Sequence, residues 1–206
     1  MKLFTLFFFL LAGSLSCYPQ ESQKADSTSW EFSADINLYF IPDNFIVLPV
    51  MKADHGKVHL EARYNYEDLK TLSAWAGYNF SGGQKIEYLI TPMVGAVVGN
   101  SNGVAPGVEF SFIKNKIELY SETEYLFDPG MKENNFLYTW TDLTYSINDW
   151  LWAGLSVQRT RLYKTELDIQ RGLIVGAGGK RWEISSYLYN VGFSTPLVLV
   201  TLTHNF

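Results

Sequence analysis

From Trp30 to Phe206 the chain alternates apolar and polar residues with a period of two. Trp30, Phe32, Ala34, Ile36, Leu38 and Phe40 interleave with Glu31, Ser33, Asp35, Asn37 and Tyr39. Val58, Leu60, Ala62, Tyr64 and Tyr66 interleave with His59, Glu61, Arg63, Asn65 and Glu67. The same alternation runs through 104–112, 117–127 and 182–189. Side chains on a strand point to opposite faces in turn, so each run predicts a strand with one apolar and one polar face. Turn formers punctuate the runs, among them Pro42-Asp43-Asn44, Asp54-His55-Gly56, Ser81-Gly82-Gly83, Lys114-Asn115-Lys116 and Asp128-Pro129-Gly130. This spacing signals hairpins of an all-β sandwich or barrel. Cutting at the turns predicts twelve strands near 29–41, 44–53, 57–67, 70–80, 85–99, 103–114, 116–127, 134–147, 150–163, 166–178, 180–191 and 196–206. The second is the weakest because Pro49 interrupts it, and ten strands is the alternative count.

Composition decides what the apolar faces meet. Hydrophobic residues make up 47% of the 206 residues, and aromatic residues 16%. A mean hydropathy of -0.03 is too polar for a helical membrane protein. A membrane barrel escapes that limit because every second residue faces a polar lumen, and it uses aromatics as interfacial girdles. A secreted soluble sandwich would carry more solvent-facing cations than the 16 Lys and Arg present. The expected fold is therefore all-β, a closed antiparallel transmembrane barrel over 29–206. A net charge of -5 argues against a nucleic-acid partner, which needs a basic stripe.

The first 17 residues read as a signal peptide: Lys2, an apolar core from Leu3 to Ala12, then Gly13, Ser14 and Ser16. Cys17, the sole cysteine, either takes a lipid or marks an ordinary cleavage site, and it excludes an intrachain disulfide. Residues 18–28 read as a disordered periplasmic tail. At the other end Val198, Val200, Leu202 and Phe206 share one face. This strand resembles the signal that hands outer-membrane barrels to their assembly machinery, with His204 departing from the usual apolar residue. The expected place is the outer membrane of a Gram-negative bacterium, among its lipids.

Chemistry is sought on the polar face. It carries Glu31, Asp35, His59, Glu61, Arg63, Glu67, Glu87, Glu109, Glu118, Glu122, Glu124 and Glu183, with Arg159, Arg161 and Arg171 on faces the pattern leaves open. Glu118, Glu122 and Glu124 form the sharpest cluster. They read either as an acidic stripe lining a pore or as a network tied to arginines of other strands and plugging the lumen. In the first case Glu122→Lys is expected to turn selectivity toward anions and leave folding intact. Glu61 and Arg63, two apart on one face, share that ambiguity. An outer-membrane lipid hydrolase would need a serine beside a histidine. The best arrangement is His59 with Ser73 on the next strand and Glu61 or Asn65 as orienter, without a serine flanking motif. Asp54-His55 and Asp142 stand apart, so no metal-ligand spacing and no cofactor is expected. Gly172, Gly176 and Gly178 read as small lumenal packing residues rather than a phosphate loop.

In architecture and length the chain resembles the small twelve-stranded oligosaccharide-specific porins. The resemblance implies a monomeric channel for small solutes. Those porins carry basic lumens for acidic sugars, whereas the surplus here is acidic. The first functional expectation is thus a channel for polar solutes or cations. A closed structural or anchoring barrel comes second and the hydrolase third.

Overall fold

The computed structural model describes residues 29–160, 169–192 and 194–206. The leader with Cys17, the tail at 18–28 and Arg161 lie outside these residues. The described chain forms β1 Glu31–Ile41, β2 Asn44–His55, β3 Val58–Tyr64, β4 Thr71–Tyr78, β5 Phe80–Gly82, β6 Glu87–Gly99, β7 Gly103–Lys114, β8 Ile117–Leu126, β9 Phe136–Asn148, β10 Leu151–Arg159, β11 Gln170–Gly178, β12 Trp182–Tyr189 and β13 Leu197–Asn205. All pairings are antiparallel between sequence neighbours, except that β1 joins β13 and β4 joins β6 to close the ring. The short β5 continues β4 past Asn79 along β6, so the architecture is a closed twelve-stranded barrel. Both Glu31 and Asn205 stand at one rim, called here the terminal end; the other rim is the distal end.

Burial is inverted relative to a water-soluble domain. On β3 the apolar Val58, Leu60 and Tyr64 are 44%, 39% and 42% exposed, while His59, Glu61 and Arg63 are 5% or less. Apolar exposure on this scale is stable only against lipid, since in water it would drive association. The soluble sandwich is thereby excluded. Exposed aromatics gather toward the two rims. Trp30, Phe32 and His55 stack at the terminal end, as do Trp182, His204 and Phe206, while Phe40–Phe45 and Tyr125–Phe127 pairs stand at the distal end. His204 lies 4.1 Å from the Trp182 ring, so it fills an aromatic position of the terminal girdle.

Three prolines lie inside strands, and each sits one residue past the end of a ladder. Pro49 pairs Ile36 on β1, but the β2–β3 ladder begins only at Val50↔Arg63. Pro92 follows the last β4–β6 pair, Gly77↔Met93, at the Asn79 break. Pro106 lies beside Gly107↔Glu124, the last β7–β8 pair. Proline lacks the N–H a ladder needs, so it is tolerated where pairing has stopped. The second strand accordingly runs its full length.

The sequence pattern misplaces one segment. Residues 65–70 form a turn, with Asn65 at φ 60° and Lys70 at φ 54°, not continuous strands. Asn65 donates to the Val47 carbonyl at 3.0 Å and accepts from the Lys70 N–H at 2.7 Å, which satisfies the turn locally. Alternation loses its phase there. Tyr66, predicted outward, and Glu67 are both buried inside.

Candidate functional site

The inward face of β2, β3, β7 and β8 builds one charged network. Period-two spacing puts His59, Glu61 and Arg63 in a row on β3. Register sets Asp54 opposite His59, Lys52 opposite Glu61, and Glu109 opposite Glu122. Arg63 spans the lumen. Its Nε donates to Glu61 Oε2 at 2.5 Å, and its Nη1 to Glu122 Oε1 at 2.6 Å and Glu124 Oε2 at 3.0 Å. Its Nη2 lies 3.5 Å from Glu109 Oε1 and donates weakly to Met93 Sδ at 3.7 Å. The guanidinium carbon lies over both the Tyr66 and Trp75 rings, 4.5 Å and 4.6 Å from their centroids. Trp75 can lie against the wall because β6 offers Gly95 opposite it: a Cβ there would come within 2.4 Å of the indole.

Around this centre the remaining polar groups are tied in. Tyr66 donates to Glu122 Oε2 at 2.6 Å and Tyr138 to the Tyr66 hydroxyl at 2.9 Å. Both ring nitrogens of His59 face carboxylates, Asp54 Oδ1 and Glu61 Oε1, each at 2.8 Å. Lys52 Nζ lies 3.3 Å from Glu61 and 3.4 Å from Glu109. Glu67, folded inward by the turn, accepts from Ser73 at 2.5 Å and Trp75 at 3.2 Å, and burial raises its carboxyl above the ordinary range. Among the described residues two buried side-chain oxygens are left without a partner, Glu67 Oε2 and Glu124 Oε1.

The opposite wall is built differently. Asp142 on β9 accepts from Trp140 Nε1 at 2.9 Å, Ser156 at 2.5 Å and Tyr187 at 3.0 Å, and Ser156 shares a 2.6 Å bond with Tyr189. Toward the terminal end the lumen is wetter. Asp35, Glu118 and Glu183 are half-buried there, and Thr203 donates to Asp35 at 2.6 Å, Ser111 to Glu118 at 2.8 Å. Toward the distal end Tyr39, Leu199, Tyr189, Gln158 and Glu67 are 0–2% exposed, so packed side chains fill the bore.

The predicted candidates therefore divide. His59, Glu61, Arg63, Glu67, Glu109, Glu122 and Glu124 come together, while Glu118 belongs to the wet terminal end. Glu31 and Glu87 share the inner face of β1 and β6 but stand exposed at the terminal rim, whereas Arg171 lies on the outer face of β11. Glu122→Lys would set a cation against Arg63, so the expectation that it leaves folding intact is withdrawn. The proposed hydrolase pair is not assembled. Ser73 stands level with Arg63 and His59 level with Gly77, and both ring nitrogens of His59 are engaged by carboxylates inside the lumen. Gly176 is a packing residue as expected, lying under Trp152. Sequence reasoning missed Tyr66, Lys52, Asp142 and Tyr187. Lys52 and Asp142 carry a charge on an alternating strand, a signal that could have placed them on the inner face.

No protein-family model matches the chain, and no curated protein matches it either. Solved structures do. A KdgM porin superposes with a TM-score of 0.62 over 84% of this chain and 99% of its own, at 13% identity. A KdgM porin in complex with disordered oligogalacturonate gives 0.63 over the same shares, also at 13% identity. The fold is that of a small porin barrel. The likeness extends to the closed twelve-stranded architecture, and the lumen must be read from this chain's own residues.

Proposed function

We propose that the protein is a small outer-membrane channel of narrow bore that favours cations and small polar solutes. The sign of the lumen carries this reading: Asp35, Glu118 and Glu183 line the wet terminal end, and the network beyond holds more carboxylates than cations. A ring of acidic groups attracts cations and repels anions. A polyanionic sugar such as the oligogalacturonate of the similar porin would meet like charge here. Paired termini at one rim fit a barrel inserted with that rim in the periplasm, handed to the assembly machinery through the strand ending at Phe206 and exported by the leader. One observation favours a second reading, a closed structural or anchoring barrel: the filled distal half.

Planar-bilayer conductance of the folded, heat-modifiable protein under a salt gradient separates the two. Small discrete steps with a cation-favouring reversal potential are expected. Silence from folded protein overturns the channel and leaves the closed barrel. Anion-favouring steps overturn the assignment of sign.

A further inference from the structure

We propose that His59, Glu61 and Glu109 form a binding site for one divalent transition-metal cation of the zinc class in the lumen wall. The three residues offer one imidazole nitrogen and two carboxylate oxygens within 4.8 Å of one another, all buried. One nitrogen and two oxygens suit a borderline ion that keeps a fourth position for water. The imidazole is already oriented for this role. Its Nδ1 faces Asp54 Oδ1 at 2.8 Å, Asn79 donates to that same oxygen at 2.7 Å, and Thr91 donates to Asn79 at 2.6 Å. Such a carboxylate behind a ligating histidine fixes its tautomer and raises its basicity.

Charge points to a ligand independently. Asp54, Glu61, Glu67, Glu109, Glu122 and Glu124 are six buried carboxylates, against the two cations Arg63 and Lys52. Buried charge of one sign is costly unless paired. The shortage leaves Glu67 Oε2 and Glu124 Oε1 unpartnered because Arg63 is already divided among Glu61, Glu109, Glu122 and Glu124. A divalent ion at Glu61 and Glu109 would release Arg63 Nη2 from Glu109 and let it turn toward those oxygens. Lys52 Nζ sits against both ligand oxygens and shows that a cation is favoured there. Its side chain is 22% exposed and reaches the wet end, where Asp35 offers another partner. Lys52 is thus the competitor that the metal displaces.

The test is Zn2+ titration of the full-length, chelator-stripped barrel in detergent, read by competition with a chromophoric chelator. One equivalent per chain is expected, lost in Glu109→Gln, about tenfold weaker in Asp54→Asn, and tighter in Lys52→Met. His55→Ala is the control for surface binding and should change nothing. No uptake by the native protein overturns the site, and so does uptake that survives Glu109→Gln. If Glu109→Gln fails to fold, Lys52→Met decides: unchanged or weaker binding overturns the proposal. Flux is not read in this assay, so failure of the channel reading leaves its outcome intact.

Discussion

The two walls of the lumen keep buried carboxylates by opposite means. Asp142 is surrounded by neutral donors, the Trp140 indole and the hydroxyls of Ser156 and Tyr187. Glu122 and Glu124 depend on Arg63 as their one shared cation, and Glu61 leans on it too, beside Lys52 and His59. Neutral donors divide the charge among several modest bonds, and losing one leaves the rest. A shared cation concentrates it, and losing that one group strands several charges at once. The charged wall is therefore the fragile one, and also the one whose balance a ligand can change.

Arg63→Met should have the largest effect. Breaking a buried ion pair from one side costs about 3–5 kcal/mol, and here several carboxylates lose their partner together. The expected outcome is a barrel that loses heat-modifiability or unfolds at much lower denaturant in lipid vesicles. Adding Glu122→Gln and Glu124→Gln to the same chain should restore much of the loss, because the stranded charges go with the cation. A triple variant no better than Arg63→Met would mean that guanidinium packing over Tyr66 and Trp75, not charge, is what matters. Asp142→Asn is expected to cost less, about 1–3 kcal/mol, since an amide still accepts from some donors but turns its NH2 toward others. Equal losses from Asp142→Asn and Arg63→Met in the same unfolding assay would dissolve the contrast between the walls. Tyr66→Phe, which removes the bond to Glu122 and the acceptor of the Tyr138 hydroxyl, should cost about 1–2 kcal/mol.

The barrel was legible because alternation is a local property repeated strand after strand. Pro49 misled only in part: a proline is compatible with a strand wherever one flanking ladder has ended, and ladder ends belong to the tertiary fold. The row His59–Glu61–Arg63 and the stripe Glu118–Glu122–Glu124 could be read because two residues apart means one face. That Arg63 joins them could not, since β3 and β8 meet only across the lumen. Tyr66 was lost for another reason. Asn65 adopts a left-handed conformation and resets the phase, which a period-two count carries straight through. The His59–Glu61–Glu109 grouping was equally hidden, as Glu109 arrives from β7 by closure of the ring rather than by sequence spacing.

Asp128 extends the neutral-donor strategy to the rim and should give the smallest effect. It lies in the β8–β9 connection, ahead of the 3-10 turn Lys132–Asn134. Its Oδ2 accepts from the Asn134 amide at 2.8 Å, and its Oδ1 from the N–H groups of Met131 at 2.9 Å and Gly130 at 2.8 Å. The Asn134 amide and these backbone donors hold the carboxyl below its ordinary range. A lowered value in the folded state makes the loop's stabilisation complete above the ordinary aspartate range near about 4. It is then lost as pH falls through the depressed value. Limited proteolysis with an acid-active protease should therefore cut within 127–135 faster at low pH while the strands stay protected. Asp128→Asn should be cut faster already at neutral pH and lose most of that pH dependence. If native protein and variant respond to acid alike, Asp128 is not what ties the loop, and neutral donors secure only the carboxylate inside the wall.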